Sequence, residues 1–119
     1  MFERLTRRLI GQLPSRRRGA EVVRVSAAGL HVRDGGAERV VAWRKVDRVV
    51  ADRATQMAGD THLLVFGLAG GGVVVVSEAD GVWRQVAADL PEWLPGAERG
   101  AAWQVRLAAA DGPVEVFQR

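Results

Sequence analysis

The chain has 119 residues, 48% of them hydrophobic and 26% charged, and it has no cysteine. That length suits one domain able to bury a core without disulfides or metals, and the missing thiols exclude a disulfide framework, a thiolate metal site and a cysteine nucleophile. The formal charge of +3 is unevenly placed: residues 1–18 hold Arg4, Arg7, Arg8, Arg16, Arg17 and Arg18 against Glu3, or +5, and the other 101 residues carry −2.

The basicity therefore belongs to an N-terminal arm and linker, residues 1–20, and not to the body, residues 21–119. At 100° per residue Phe2, Leu5, Leu9, Ile10 and Leu13 fall on one arc and Arg4, Arg7 and Arg8 on the opposite one. That spacing predicts an amphipathic helix over 2–13, ended by Pro14. A helix of three turns is marginal alone in water, so it needs a domain, a partner or a lipid surface to lie on. The run Arg16-Arg17-Arg18-Gly19 reads as linker.

From Glu21 the period becomes two. Val23, Val25 and Ala27 alternate with Arg24 and Ser26, as in a half-buried strand. Leu30 and Val32 face away from His31 and Arg33 in a second strand. Asp34-Gly35-Gly36 is the strongest hairpin signal, leading to a return strand over 38–43. Val46 to Ala51 predicts a fourth strand, Arg53 to Asp60 a polar loop, and His62 to Gly67 a fifth strand. Gly70-Gly71-Gly72 reads as a turn before Val73 to Ser77, whose valine run suggests burial on both faces. Helical spacing returns at Trp83, Val86, Leu90 and Leu94, with Asp80 as cap and Pro91 as kink or break. Trp103, Val105 and Leu107 alternate as in a late strand, and Val114 and Val116 close the pattern. The fold class expected is mainly β (α+β): a bent antiparallel sheet or small barrel capped by one helix, preceded by the arm helix.

The stretch VRVSAAGLHVRDGGAERVVAWRKVDRVVA resembles the first strands of bacterial pleckstrin-homology-like and GRAM-like domains. The shared features are the Gly29-Leu30 start of the second strand, the hairpin, and the Trp43-to-Val46 step into the fourth. The segment VSEADGVWRQVAADLPEWLPG is similar to the tail of small bacterial proteins of this type. Together these cover residues 22 to 96. The resemblance implies a bent seven-stranded barrel capped by a helix, and transfers no ligand. Phosphoinositide binders of that fold gather basic residues in the first hairpin loops. Here those loops are Ala-Ala-Gly and Asp-Gly-Gly, which argues against phosphoinositide recognition by the barrel.

No catalytic, cofactor or metal site is read from the residues. His31 and His62 lack an acidic or His partner at ligand spacing and read as rim histidines. Gly70-Gly71-Gly72 lacks the Lys-Ser/Thr and helix of a phosphate loop. Asp47, Asp52, Asp60, Glu78 and Asp80 read as solvated loop acids. Trp43 and Trp83 are in phase with apolar neighbours, whereas Trp93, flanked by prolines and acids, is the expected partner contact.

The arm is the most specific signal. Phe2, Arg4, Leu5, Arg7, Arg8, Leu9, Arg16, Arg17 and Arg18 form a candidate contact surface for an anionic membrane or a protein partner. The same residues also suit a helix docked on its own domain. Nucleic acid would favour a basic, aromatic-studded body, and the body carries −2. With no span of about 18 apolar residues, the expectation is a cytoplasmic protein, peripheral at the membrane. The expected role is a non-enzymatic binding or scaffolding module without cofactor or metal; the rival reading is a small ligand-binding barrel or enzyme.

Overall fold

A computed structural model describes residues 20–56 and 59–119; the predicted arm helix lies outside the described residues. The elements are β1 (Ala20–Ser26), β2 (Gly29–Asp34), β3 (Ala37–Val41), a 3-10 turn (Trp43–Lys45), β4 (Val46–Gln56), β5 (Gly59–Leu68), β6 (Val73–Ser77), α1 (Trp83–Trp93), α2 (Gly100–Ala109) and β7 (Val114–Gln118). All strand pairs are antiparallel. They make two sheets, β1-β2-β3 and β6-β5-β4-β7. The expected mainly β, antiparallel character holds, but the sheets do not close into a barrel. The chain passes through both helices before β7 returns beside β4.

The meander follows from its turns. Asp34 pairs with Ala37 around a two-residue Gly35-Gly36 loop, the connection length that matches strand twist. Gly29 has φ +147°, and a Cβ there would lie 2.0 Å from the Val41 carbonyl oxygen. Only glycine lets β2 start that close to the end of β3.

Five local expectations are corrected. In β1 the register shifts between Val22 and Arg24, so Val22 and Val25 enter the core rather than Val23, Val25 and Ala27 in strict alternation. A bulge resets the side-chain phase in this way. The return strand ends at Val41, and Trp43 sits in the 3-10 turn. The loop expected over Arg53 to Asp60 is largely strand, because the pairing of β4 with β5 continues from Arg53 opposite His62 out to Gln56 opposite Gly59. Asp80 does not cap α1: Val82 is the N-cap position, and no side chain bonds there. Instead Asp80 Oδ2 accepts from the Ser77 amide at 2.8 Å.

The fifth correction is the largest. The stretch expected as a late strand is α2, so there are two described helices, not one. Trp103 and Leu107 are fully buried while Val105 is 70% exposed. The spacing that matters is i, i+4 on one helical face, with Val105 on the opposite side. Pro91 does not end α1, which runs on to Trp93.

Among the described residues a large hydrophobic cluster joins the two sheets and the helices. It joins Leu30, Val32 and Val41 of the first sheet to Val49, Ala51, Leu64, Phe66, Val74 and Val76 of the second. Val86 and Leu90 of α1 and Trp103 and Leu107 of α2 complete it.

Candidate functional site

The arm residues proposed as a contact surface (Phe2, Arg4, Leu5, Arg7, Arg8, Leu9, Arg16, Arg17 and Arg18) lie outside the described residues. Trp93, the other candidate contact, is within them. Its ring stacks on Trp43 with centroids 5.1 Å apart and planes 9° from parallel. It is half-buried, so one face of the indole is committed to the core rather than open to a partner. Trp43 is itself tied down: its Nε1 donates to the Ser26 carbonyl at 2.7 Å, and it meets Phe66 at 6.3 Å. Arg119 Nη2 closes this corner by donating to the carbonyls of Trp43 at 3.1 Å and Val46 at 3.0 Å.

Each histidine has an acidic neighbour in space, although none at ligand spacing in the sequence; His31, expected at the rim, is buried. His62 is half-exposed. Its Nδ1 lies 3.8 Å from Glu78 Oε2, while its amide donates to Glu78 Oε1 at 2.9 Å. His31 is 8% exposed and sits in a polar cluster on the outer face of the first sheet. Ser26 Oγ is 2.8 Å from its Nε2. Glu38 Oε1 is 3.6 Å from its Nδ1. Arg24 Nη2 is 3.1 Å from that same Nδ1 and 3.4 Å from Glu38. The register makes the cluster: Arg24 is opposite His31, and Glu38 is opposite Arg33 on the next strand. The residues lie seven and fourteen positions apart, so no local motif announces them.

Hydroxyl, imidazole and carboxylate here stand in the order of a nucleophile relay. The hydrogen-bond directions run against it. A guanidinium only donates, so Nδ1 facing Arg24 holds the lone pair and Nε2 holds the proton. Nε2–H then donates to Ser26 Oγ, which also accepts from the Ala28 amide at 3.2 Å. A general base needs the opposite tautomer, with its Nε2 lone pair aimed at the hydroxyl and Nδ1–H held by the acid. At 3.6 Å the Glu38 contact is too long to be a hydrogen bond. The cluster therefore pins β1, β2 and β3 together.

An open groove of about 380 Å³ runs between α1 and α2, lined by Ala88, Pro91, Glu92, Arg99, Gly100 and Ala101. Its ionisable groups are Glu92 and Arg99, with no imidazole or hydroxyl between them. Among the described residues there is no group of three potential metal ligands, and no helix long and apolar enough to cross a membrane. Compared with known proteins, the chain matches no family model, no curated protein and no solved structure.

Proposed function

We propose that this chain is a non-catalytic binding or scaffolding module, of the pleckstrin-homology-like kind, brought to an anionic surface by its basic arm. The observation that carries the reading is the charge split: +5 within residues 1–18 ahead of a body at −2. Each basic residue near an anionic leaflet contributes about 1 kcal/mol. Six arginines therefore suffice for peripheral attachment, and the acidic body is repelled so that the arm leads.

The family part of the proposal draws on the meander of β1, β2 and β3 followed by a second antiparallel sheet, and on the Gly29-Leu30 and Trp43-to-Val46 steps. The open sheets and the second helix depart from that pattern. Against the rival reading of a small ligand-binding barrel or enzyme, the hydrogen-bond directions at Ser26, His31 and Glu38 do not support a nucleophile relay.

Cosedimentation with vesicles tests the proposal. The full chain should bind vesicles containing anionic lipid at low salt and release as salt shortens the screening length to about 8 Å at physiological ionic strength. Neutral vesicles should not bind. Replacing Arg16, Arg17 and Arg18 by Ser should lower binding with no change in melting temperature. Absence of binding to anionic vesicles at low salt ends the surface-recruitment reading.

A further inference from the structure

Each edge strand of a sheet carries a row of main-chain groups that point away from its one neighbour. The two sheets end in four such strands, β1, β3, β6 and β7. Three are met from within the described residues. β1 and β6 lie against each other. On β7 the Val116 carbonyl accepts from the Glu98 amide at 2.9 Å, and the Glu115 carbonyl accepts from Arg106 Nη1 at 3.2 Å. β3 is different. Ala37 to Val40 are all exposed, and Val40 is 49% exposed.

The hairpin decides which groups of β3 are spare. Across a two-residue loop the closing pair, Asp34 and Ala37, exchanges both main-chain bonds, and bonded pairs then alternate along the ladder. Arg39 is therefore bonded to Val32, and Val41 to Leu30. Glu38 and Val40 turn amide and carbonyl to the open side, and among the described residues no backbone group bonds to them there. Charge selects what fits. Residues 39–45 hold Arg39, Arg44 and Lys45 and no acid. All three are exposed, and among the described residues none of them forms an ion pair. Glu38, the acid beside them, is engaged by Arg24 at 3.4 Å. Val40 stands on the outer face opposite His31, and Arg39 belongs to the other face, since successive strand residues alternate.

We propose that the open edge of β3 takes up an extended acidic peptide as an added antiparallel strand, bonded to the amide and carbonyl groups of Glu38 and Val40. In strand addition the main-chain bonds give affinity and the alternate side chains give specificity. An apolar peptide residue lies opposite Val40, and the next residue, an acid, lies opposite Arg39. Acids preceding the apolar residue run toward Arg44 and Lys45, because the N-terminal side of an antiparallel partner passes the C-terminal end of β3. A second copy of this chain fits poorly. The symmetric register that pairs the whole of β3 sets two copies of Arg39 opposite each other, and like charges there are destabilising. The inference deepens the binding-module reading by naming the partner and rests on it, but it is independent of the arm.

The test uses the full chain and labelled octapeptides, followed by fluorescence anisotropy. A peptide of alternating Glu and Val should bind, and one of alternating Lys and Val should not. Methylating the Val amides of the acidic peptide, which face β3, should weaken binding by about tenfold or more, the order of one or two lost hydrogen bonds. Methylating its Glu amides, which face away, should leave binding unchanged. V40P removes an outward amide at no cost to the ladder, so it should melt like the parent and lose the peptide. R39E should release the acidic peptide and take up the basic one. Equal binding of the two methylated peptides would reduce the attraction to charge alone and overturn the proposal. So would parent-like binding by R39E, or a dimer of the chain that V40P dissociates, which would put a second copy on the edge. Vesicle binding that R39E weakens, with no peptide bound by the parent, would give these cations to lipid and overturn it too. Peptide binding by a chain that ignores anionic vesicles supports the inference and overturns only the recruitment reading.

Discussion

Gly100 approaches Ala87 so closely that a Cβ on Gly100 would lie 2.4 Å from the Ala87 carbonyl oxygen. Ala87 is the residue four before Pro91, so its carbonyl has no intrahelical amide to accept from. The missing amide leaves room at that turn, and the first residue of α2 fills it. The two helices are locked at a point where each has given something up: α1 an internal hydrogen bond, α2 a side chain.

Replacing Gly100 by Ala should therefore destabilise the fold, although alanine is the better helix former by about 1 kcal/mol. Overpacking against backbone costs about 1–3 kcal/mol. Gly81 has nothing within 4 Å of its Cβ position and no positive φ, so Gly81→Ala should be neutral or slightly stabilising. Thermal melts of the two variants should move in opposite directions. A Gly100→Ala protein at or above the parent's melting temperature would show that the helices separate easily.

Trp103 is fully buried, and among the described residues its Nε1–H finds no acceptor. It meets Trp83 edge to face, with centroids 5.8 Å apart and an interplanar angle of 88°. A buried orphan donor costs about 1–3 kcal/mol, which offsets part of what the indole contributes by packing. Trp103→Phe should thus cost less than about 1.5 kcal/mol, and Trp103→Ala about 3–5 kcal/mol. Denaturant titration of both variants checks the gap. A phenylalanine as costly as alanine would mean that the N–H is satisfied.

Leu64 is fully buried at the centre of β5 and of the main cluster. An unpaired charge placed there costs several kcal/mol, comparable with a domain's whole stability. Leu64→Asp should abolish the cooperative melt. Leu64→Val should keep it at a lower temperature.

The proton on His31 is expected on Nε2, held there by Arg24 at Nδ1. Ring nitrogen shifts measured by NMR on the neutral protein report the tautomer directly. Arg24→Ala should free Nδ1 and let the ring turn its N–H toward Glu38. A parent protein with the proton on Nδ1 would reverse the hydrogen-bond directions and restore Ser26 and His31 as a nucleophile and base.

The hairpin strands were legible in the sequence because their signals are local. Asp34-Gly35-Gly36 and the alternation around Leu30 and Val32 act over a few residues. The charge split was legible for the same reason, since net charge is a sum over the chain. What escaped depends on neighbours distant in sequence. Residues 103–107 alternate in hydropathy, and only the packing of Trp103 and Leu107 under one helical face reveals the helix; Val105 faces solvent at no cost large enough to forbid it. The partners of His31 are set by the registers of two strand pairs, with a bulge between Val22 and Arg24 shifting the first. Trp93 looked exposed among prolines and acids, yet Trp43, fifty residues earlier, lies flat against it. The sequence by itself determined the strand-forming stretches, their hairpin order and the basic arm, because propensity, turn chemistry and charge are written residue by residue. Only the tertiary structure decided where β7 pairs and which helix faces are buried, because burial belongs to pairs of surfaces and neither surface carries it alone.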